Sequence, residues 1–276
     1  MNNLNLNNIT EHIRKRRSVR SFDGRDLDEA LKEQLLSYAN SIANPFGIPV
    51  AFKYLYADRD GLSCPVVSGT DLYLGAKIKN LPDCFLAFGY SFEMLVLYAK
   101  SLGIGTVWIG GTMNRPAFEK AMTLGADEIM PCATPIGYEA EKMSVRENLM
   151  RKAVKADERM PFEELFFDGA FVQPLYKENA AKLAEVLESV RLAPSAVNRQ
   201  PWRVLVTDGE VHFYLKRSKG MTHGDKLDMQ MIDMGIALCH FALAAEESGI
   251  NVKLVRKEPK IRPEQRMEYV ASYTIL

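Results

Sequence analysis

Apolar and polar positions along this 276-residue chain fall into one arrangement that occurs twice. Around Leu31 and Leu35 apolar residues recur at helical spacing, a loop follows, and Pro49-Val50-Ala51-Phe52 opens an alternating run. The same order recurs from Leu183 and Leu187 to Pro201-Trp202-Arg203-Val204, without a gap and at a constant offset of 152 residues (183 against 31, 201 against 49). A period near 3.6 predicts a helix, and alternation predicts a half-buried strand. Downstream, residues 92–104 and 234–250 each read as an amphipathic helix closed by a glycine, Gly103 and Gly249. Glycine after a helix end adopts left-handed backbone without a Cβ penalty. Strand-like runs follow at 106–109 and 251–255. Two correspondences in the same order predict one helix-and-strand architecture used twice, an internal duplication. The expected lobes are 1–160 and 161–276, joined through the charged, partly helical stretch 148–167.

Composition removes several classes of function. Lys+Arg and Asp+Glu are both 35, so no global field favours nucleic acid or a membrane surface. Cys64, Cys84, Cys132 and Cys239 are far apart with no CxxC pair, which indicates neither zinc nor a disulfide framework and fits a reducing cytoplasm. The opening MNNLNLNNIT lacks a basic region followed by an apolar core, and is not read as a secretory signal. The longest apolar run, 84–98, carries Glu93 and is too short and mixed to span a bilayer. His12, His212, His223 and His240 form no metal spacing, and no Gly-x-Ser-x-Gly supports a hydrolase. His240 reads as a core or interface histidine. Asp233-Met234-Gly235 opens the second long helix, where capping accounts for it as well as a ligand does.

The most specific local signal is Ala193-Pro194-Ser195-Ala196-Val197-Asn198-Arg199-Gln200-Pro201-Trp202: a helix end, a short polar loop and a strand start. Small residues let backbone approach a flat ligand, and Ser195 and Asn198 offer hydrogen-bonding side chains. This segment resembles the Ala-Pro-Ser-x-x-Asn-x-Gln-Pro-Trp element of the FMN-dependent nitroreductase family. Arg16-Arg17-Ser18-Val19-Arg20-Ser21-Phe22 resembles that family's Arg-Arg-Ser-x-Arg-x-Phe entry segment. Trp108-Ile109-Gly110-Gly111 is similar to its glycine-ended strand, Pro135-Ile136-Gly137-Tyr138 to its Pro-x-Gly-Tyr strand, and Arg159-Met160-Pro161 to its Arg-x-Pro tail. The resemblance runs from Ile13 to the last residues.

The resemblance implies an α+β, nitroreductase-like fold of antiparallel-rich sheets with packed helices, internally duplicated as a pseudo-dimer, and FMN as cofactor. Members of the family are usually homodimers with flavin at the subunit interface, so a chain with two diverged copies resembles the two-lobed branch, a pseudo-dimer in one polypeptide. Arg16 and Ser18 would face the flavin with Arg17 beside them, while Arg20 supports the segment. Guanidinium groups suit a phosphate carrying about two negative charges, because they make forked, charge-assisted hydrogen bonds. Arg159 would reach the same phosphate. Many relatives carry a second basic residue just before it, but this chain has Asp157 and Glu158 there, leaving Lys142 and Lys155 as alternatives. Backbone at Gly110 and Gly111 would meet the ring edge, and Pro194, Ser195, Ala196 and Asn198 would line it.

The two copies have diverged unequally. Ile42-Ala43-Asn44-Pro45-Phe46 stands where the second copy has its Pro-Ser-x-x-Asn loop, and Val252-Lys253-Leu254-Val255 lacks the double glycine. The offset of 152 sets Asp168, Gly169 and Ala170 opposite Arg16, Arg17 and Ser18. One FMN per chain is therefore expected, in a monomer able to hold it whatever larger assembly forms. The implied activity is FMN-dependent oxidoreduction with NAD(P)H as reductant, in a ping-pong cycle, with a nitroaromatic, quinone or similar small-molecule electron acceptor. No catalytic side chain is named, since the chemistry is centred on the flavin. The alternatives are another flavin task on this scaffold (dehalogenation, flavin-ring cleavage, enone reduction) and a flavin-binding or storage protein without turnover.

Overall fold

A computed structural model describes residues 8–218, 227–261 and 266–276; His223 and the first seven residues lie outside them. The chain forms two compact units. One is Lys15–Ala156; the other is Asp157–Leu276 together with the first helix, α1 (Ile9–Lys15), as far as Arg14.

The first unit runs α2 (Glu29–Ser41), β1 (Val50–Tyr56), α3 (Ala57–Asp60), β2 (Leu72–Lys79), α4 (Cys84–Ser101), β3 (Gly105–Thr106), α5 (Arg115–Met122), β4 (Glu128–Ile129), β5 (Ala133–Gly137) and α6 (Val145–Ala153). Side-chain caps set two of the helix starts. Asp28 accepts from the Ala30 N–H at 2.8 Å at α2, and Ser144 from the Glu147 N–H at 3.1 Å at α6, each satisfying a donor the helix leaves open. The sheet order is β1-β2-β5-β3, all neighbours antiparallel, with β4 also pairing β2. Helix α4 is apolar nearly all round and buried along most of its length, as expected of a helix enclosed within a packed unit.

The second unit runs α7 (Phe162–Leu165), β6 (Phe166–Asp168), α8 (Ala184–Arg191), β7 (Trp202–Thr207), β8 (Glu210–Lys216), α9 (Met229–Glu247), β9 (Val252–Val255) and β10 (Met267–Ile275). Its sheet order is β6-β7-β8-β10-β9, antiparallel except for the parallel pair β6 and β7. Replacing β1, β2, β5 and β3 by β7, β8, β10 and β9 turns the first order into the last four strands of the second, with β6 added outside β7. The offset of 152 carries Val50, which opens β1, onto Trp202, which opens β7. Gly103 and Gly249, after α4 and α9, have φ of 76° and 70°. The α+β pattern read in the sequence is therefore present, and the shared strand order is consistent with the duplication expected from it.

Two expectations are corrected. The strand expected at 106–109 shrinks to β3, because the Val107 N–H donates to Thr134 Oγ1 at 3.0 Å instead of to backbone, and pairing returns only as a bridge between Ile109 and Ala133. The matching of 168–170 with Arg16, Arg17 and Ser18 also fails. Ser18 bridges Thr106 on the outer side of β3, whereas Asp168 ends β6 beside β7, the counterpart of β1. The two segments lie along opposite edges of their sheets. Among the described residues, no strand or bridge lies on the outer side of β9, the counterpart of β3.

Candidate functional site

In the first unit the entry segment is stitched into place through its backbone. The Val19 N–H donates to Thr106 O, the Phe22 N–H to Ser68 O, and the Ser68 N–H to Arg20 O, each at 2.9 Å. Gly69 makes this closure possible. Its φ is +79°, and a Cβ there would stand 2.0 Å from the Phe22 carbonyl oxygen. Ser18 and the glycine turn at Gly110 and Gly111 are thus reached from one short strand, β3.

Arg16 points inward. Its side chain is 6% exposed, and its Nε lies 4.0 Å from Glu93 Oε1, yet that Nε has no hydrogen-bond partner among the described residues. Burial pushes its pKa down, Glu93 opposes the shift, and the charge of Arg151 adds to it. Glu93, wholly buried on α4, also accepts from Trp108 Nε1 at 3.0 Å. Arg17 pairs with Glu139 and with Glu147, at 3.4 Å for the latter. Arg151 of α6 donates to the Ser18 carbonyl at 3.5 Å. Burial lowers the pKa of Arg20, opposed by Glu147 and reinforced by Arg151; burial also lowers that of Lys100, with Arg17, Lys15 and Arg16 adding to it. Cations outnumber carboxylates in this cluster, so an anion placed there relieves mutual repulsion.

Beside it, Arg115 of α5 donates to three backbone carbonyls: Gly110 at 2.8 Å, Met130 at 2.6 Å and Pro131 at 3.1 Å. Gly111 is exposed, and a Cβ added to it would meet nothing within 4 Å, leaving open space for a ligand beside the backbone.

In the second unit the loop from Pro194 to Asn198 is held by polar contacts at Ser195, Ala196 and Asn198. Ser195 Oγ accepts from the Gln200 N–H at 2.9 Å, and Asp233 Oδ1 accepts from the Ala196 N–H at 2.9 Å. Asn198 Nδ2 donates to Glu158 O at 2.9 Å, while its Oδ1 accepts from Arg159 Nη1 at 3.4 Å. Arg159, the arginine of the Arg-x-Pro tail, is therefore brought directly onto the loop, and it also reaches Leu192 O at 3.5 Å. Val197, Asn198 and Gln200 have φ of 46°, 56° and 48°. Asp233 is buried, its Oδ2 has no partner among the described residues, and burial raises its pKa well above the usual carboxylate range; the Ala196 N–H opposes that shift and Asp228 adds to it. His240, read as a core histidine, is fully buried with Nδ1 2.8 Å from Ser189 O.

Three residues near these groups carry no motif in the sequence: Glu93, Arg115 and Arg151; Asp233, expected to open the second long helix, instead lies inside α9, whose start is capped by Asp228. Glu93 and Asp233 left a trace as lone carboxylates within apolar helical runs. Arg115 and Arg151 sit in ordinary amphipathic helices and leave none. Among the described residues, no group of three or more His, Cys, Asp or Glu is placed to hold a metal, and no helix is long and apolar enough to cross a membrane.

The arginine cluster and the open glycine turn stand in a chain whose family match makes it an oxidoreductase of the nitroreductase class. The chain belongs to the family described as "Putative TM nitroreductase", whose model matches residues 8–245. Among solved structures it is similar to a protein of Thermotoga maritima MSB8 described as a "putative nitroreductase", with 23% identity over 98% of this chain and 93% of that one and a TM-score of 0.60, which supports the fold. Shorter chains match about half of it. A nitroreductase with bound FMN from Bacteroides fragilis NCTC 9343 has 16% identity over 50% of this chain and 92% of that one, TM-score 0.40. A nitroreductase family protein of Clostridium novyi NT has 17% identity over 49% and 87%, TM-score 0.43. No curated protein matches the sequence.

Proposed function

We propose that this chain binds one FMN and uses it to pass electrons from NAD(P)H to a small-molecule acceptor such as a nitroaromatic or quinone, in the cytoplasm. The observation that carries this reading is Arg16, a buried guanidinium with an unsatisfied Nε inside a cluster of further cations. Glu93 at 4.0 Å offsets part of that buried charge but leaves the Nε without a hydrogen bond and the cations in excess, and a phosphomonoester supplies a further anion and acceptor. When bound, FMN supplies the hydride and electron transfer. Arg16, with Arg17 and Ser18 beside it, holds the negative end. Backbone at Gly110 and Gly111 lies along the ring edge. Pro194, Ser195, Ala196 and Asn198 line the ring, and Arg159 reaches for the phosphate. That both sets of residues serve a single flavin is carried by the family resemblance. The outer side of β9, which lacks an arginine-bearing segment among the described residues, supports one site over two.

The deciding experiment is the visible spectrum of the purified full chain before and after anaerobic NADH and NADPH, with released FMN counted against protein. One FMN per chain, bleached by a nicotinamide, is expected. Two per chain would contradict the single site, and a bound flavin that neither nucleotide reduces would point to storage.

A further inference from the structure

The contact between Arg115 and Gly110 fixes more than the position of one carbonyl. In a trans peptide the C=O and the following N–H lie in one plane and point in opposite directions. No cis peptide occurs among the described residues. Arg115 Nη2 draws the Gly110 oxygen toward α5, so the Gly111 N–H is turned the other way. No hydrogen bond is made by that N–H within the described chain, and Gly111 faces open space. A glycine pair is free to rotate this plane, since neither residue carries a Cβ to resist it. The turn therefore needs an outside restraint, and Arg115 is fitted to be one. Its Nη1 is anchored on Met130 O and its Nη2 also on Pro131 O, so the fork that holds Gly110 is itself held by the approach to β5. A planar guanidinium keeps such a geometry where a lysine's single flexible ammonium does not.

We propose that Arg115 is a positioning residue, which aims the Gly111 N–H at the flavin edge where negative charge develops on reduction, by locking the Gly110 peptide plane. The proposal rests on the FMN reading above. A preorganised donor aimed at developing charge favours the reduced form selectively. Loosening it should weaken binding of reduced FMN more than of oxidised FMN and make the midpoint potential more negative.

The test uses the full chain loaded with FMN, in wild type, Arg115→Lys and Arg115→Met. Oxidised FMN affinity comes from fluorescence titration, and the midpoint potential from anaerobic dye equilibration. Both variants should bind oxidised FMN nearly as wild type does and shift the potential downward. A tenfold loss of preference for the reduced flavin corresponds to about 30 mV for this two-electron couple. Arg115→Lys keeps the positive charge, so a shift in that variant reads geometry and supports the proposal. A shift in Arg115→Met alone would mean that Arg115 acts only as a distant charge, and would overturn it. So would an unchanged potential in Arg115→Lys, which decides the matter even if Arg115→Met does not fold. Failure of wild type to bind FMN would instead strike the functional reading itself.

Discussion

The loop that follows α2 and the loop that follows α8 stand at corresponding places before the first matching strand of two sheets, yet they satisfy their backbones in opposite ways. In the first, Asn44 closes the turn on itself. Its Nδ2 donates to Ile48 O at 2.7 Å and to Ser91 Oγ on α4 at 3.0 Å, and its Oδ1 accepts from the Phe46 N–H at 3.0 Å. The left-handed position there is a glycine, Gly47, with φ 68°. In the second, the left-handed positions are Val197, Asn198 and Gln200, and Val197 is β-branched and 56% exposed. A non-glycine residue in that region costs about 1–2 kcal/mol, and nothing about an exposed valine returns it. Both loops are tied to the long helix of their own unit, through Ser91 in one and Asp233 in the other. The relaxed loop is the one without the Pro-Ser-x-x-Asn element, and the strained loop is the one that carries it. Strain held by several surrounding contacts is a sign of a binding surface.

The first unit invests its close packing elsewhere, at the entry segment, and the largest expected effect lies there. Gly69→Ala should destabilise the protein by about 3 kcal/mol, combining ~1–2 kcal/mol for left-handed backbone with ~1–3 kcal/mol for displacing the Phe22 carbonyl. Urea denaturation reads this directly, and a loss below about 1 kcal/mol would show that the segment is not locked as described. Next in size is Arg16→Ala, which should weaken FMN binding about tenfold to a hundredfold, for a charged contact of roughly 1.5–3 kcal/mol. Arg14→Ala is the control. Arg14 is half exposed and pairs with Glu185 in the second unit, so its loss should leave FMN titration unchanged.

The two loops can then be set against each other. Val197→Gly should stabilise the flavin-free chain by about 0.5–1 kcal/mol, the relief of left-handed strain less the entropy cost of glycine. Gly47→Ala should do the reverse, by about 1 kcal/mol. Equal and negligible effects in both would remove the contrast. The finest effect is a pH slope. Asp233 has a raised folded pKa, so its contribution to stability is fully present below its unfolded value and lost as pH rises through the folded one. Asp233→Asn keeps an acceptor for the Ala196 N–H without the charge. Thermal unfolding should therefore show the variant gaining on wild type as pH rises from acid to neutral. A constant difference across that range would mean Asp233 is not the titrating group.

Much of the fold was legible because it rests on local periodicity. The helix-to-strand offset of 152 predicted where β7 begins once β1 was known, and the glycines after α4 and α9 were read correctly as left-handed ends. The truncation of β3 was not legible, because it depends on the Thr134 hydroxyl replacing a backbone partner across the sheet. The misplacement of 168–170 has a similar origin. A sequence offset records order along the chain, but which edge of a sheet a segment joins is decided by pairing. At the site, the motif residues that meet within one unit, such as Arg159 and Asn198, were visible as motifs but not as neighbours. Arg115 and Arg151 act through backbone carbonyls, which have no signature in sequence.

Helix α1 carries a consequence of a different kind, one of time. The Thr10 N–H at its start donates to Glu247 Oε2 at 3.1 Å, Arg14 near its end pairs with Glu185, and Ile9 and Ile13 are buried. The two ends of the first of these bonds lie 237 residues apart. At roughly 5–20 residues per second of synthesis, α1 leaves the ribosome on the order of tens of seconds before Glu247 is made. The second unit is thus begun by residues made before the first unit and completed only by residues made after it. A gene split near residue 156 would strand α1 on the wrong fragment and leave the C-terminal fragment without it, so the two units are separable as packing but not as products of translation.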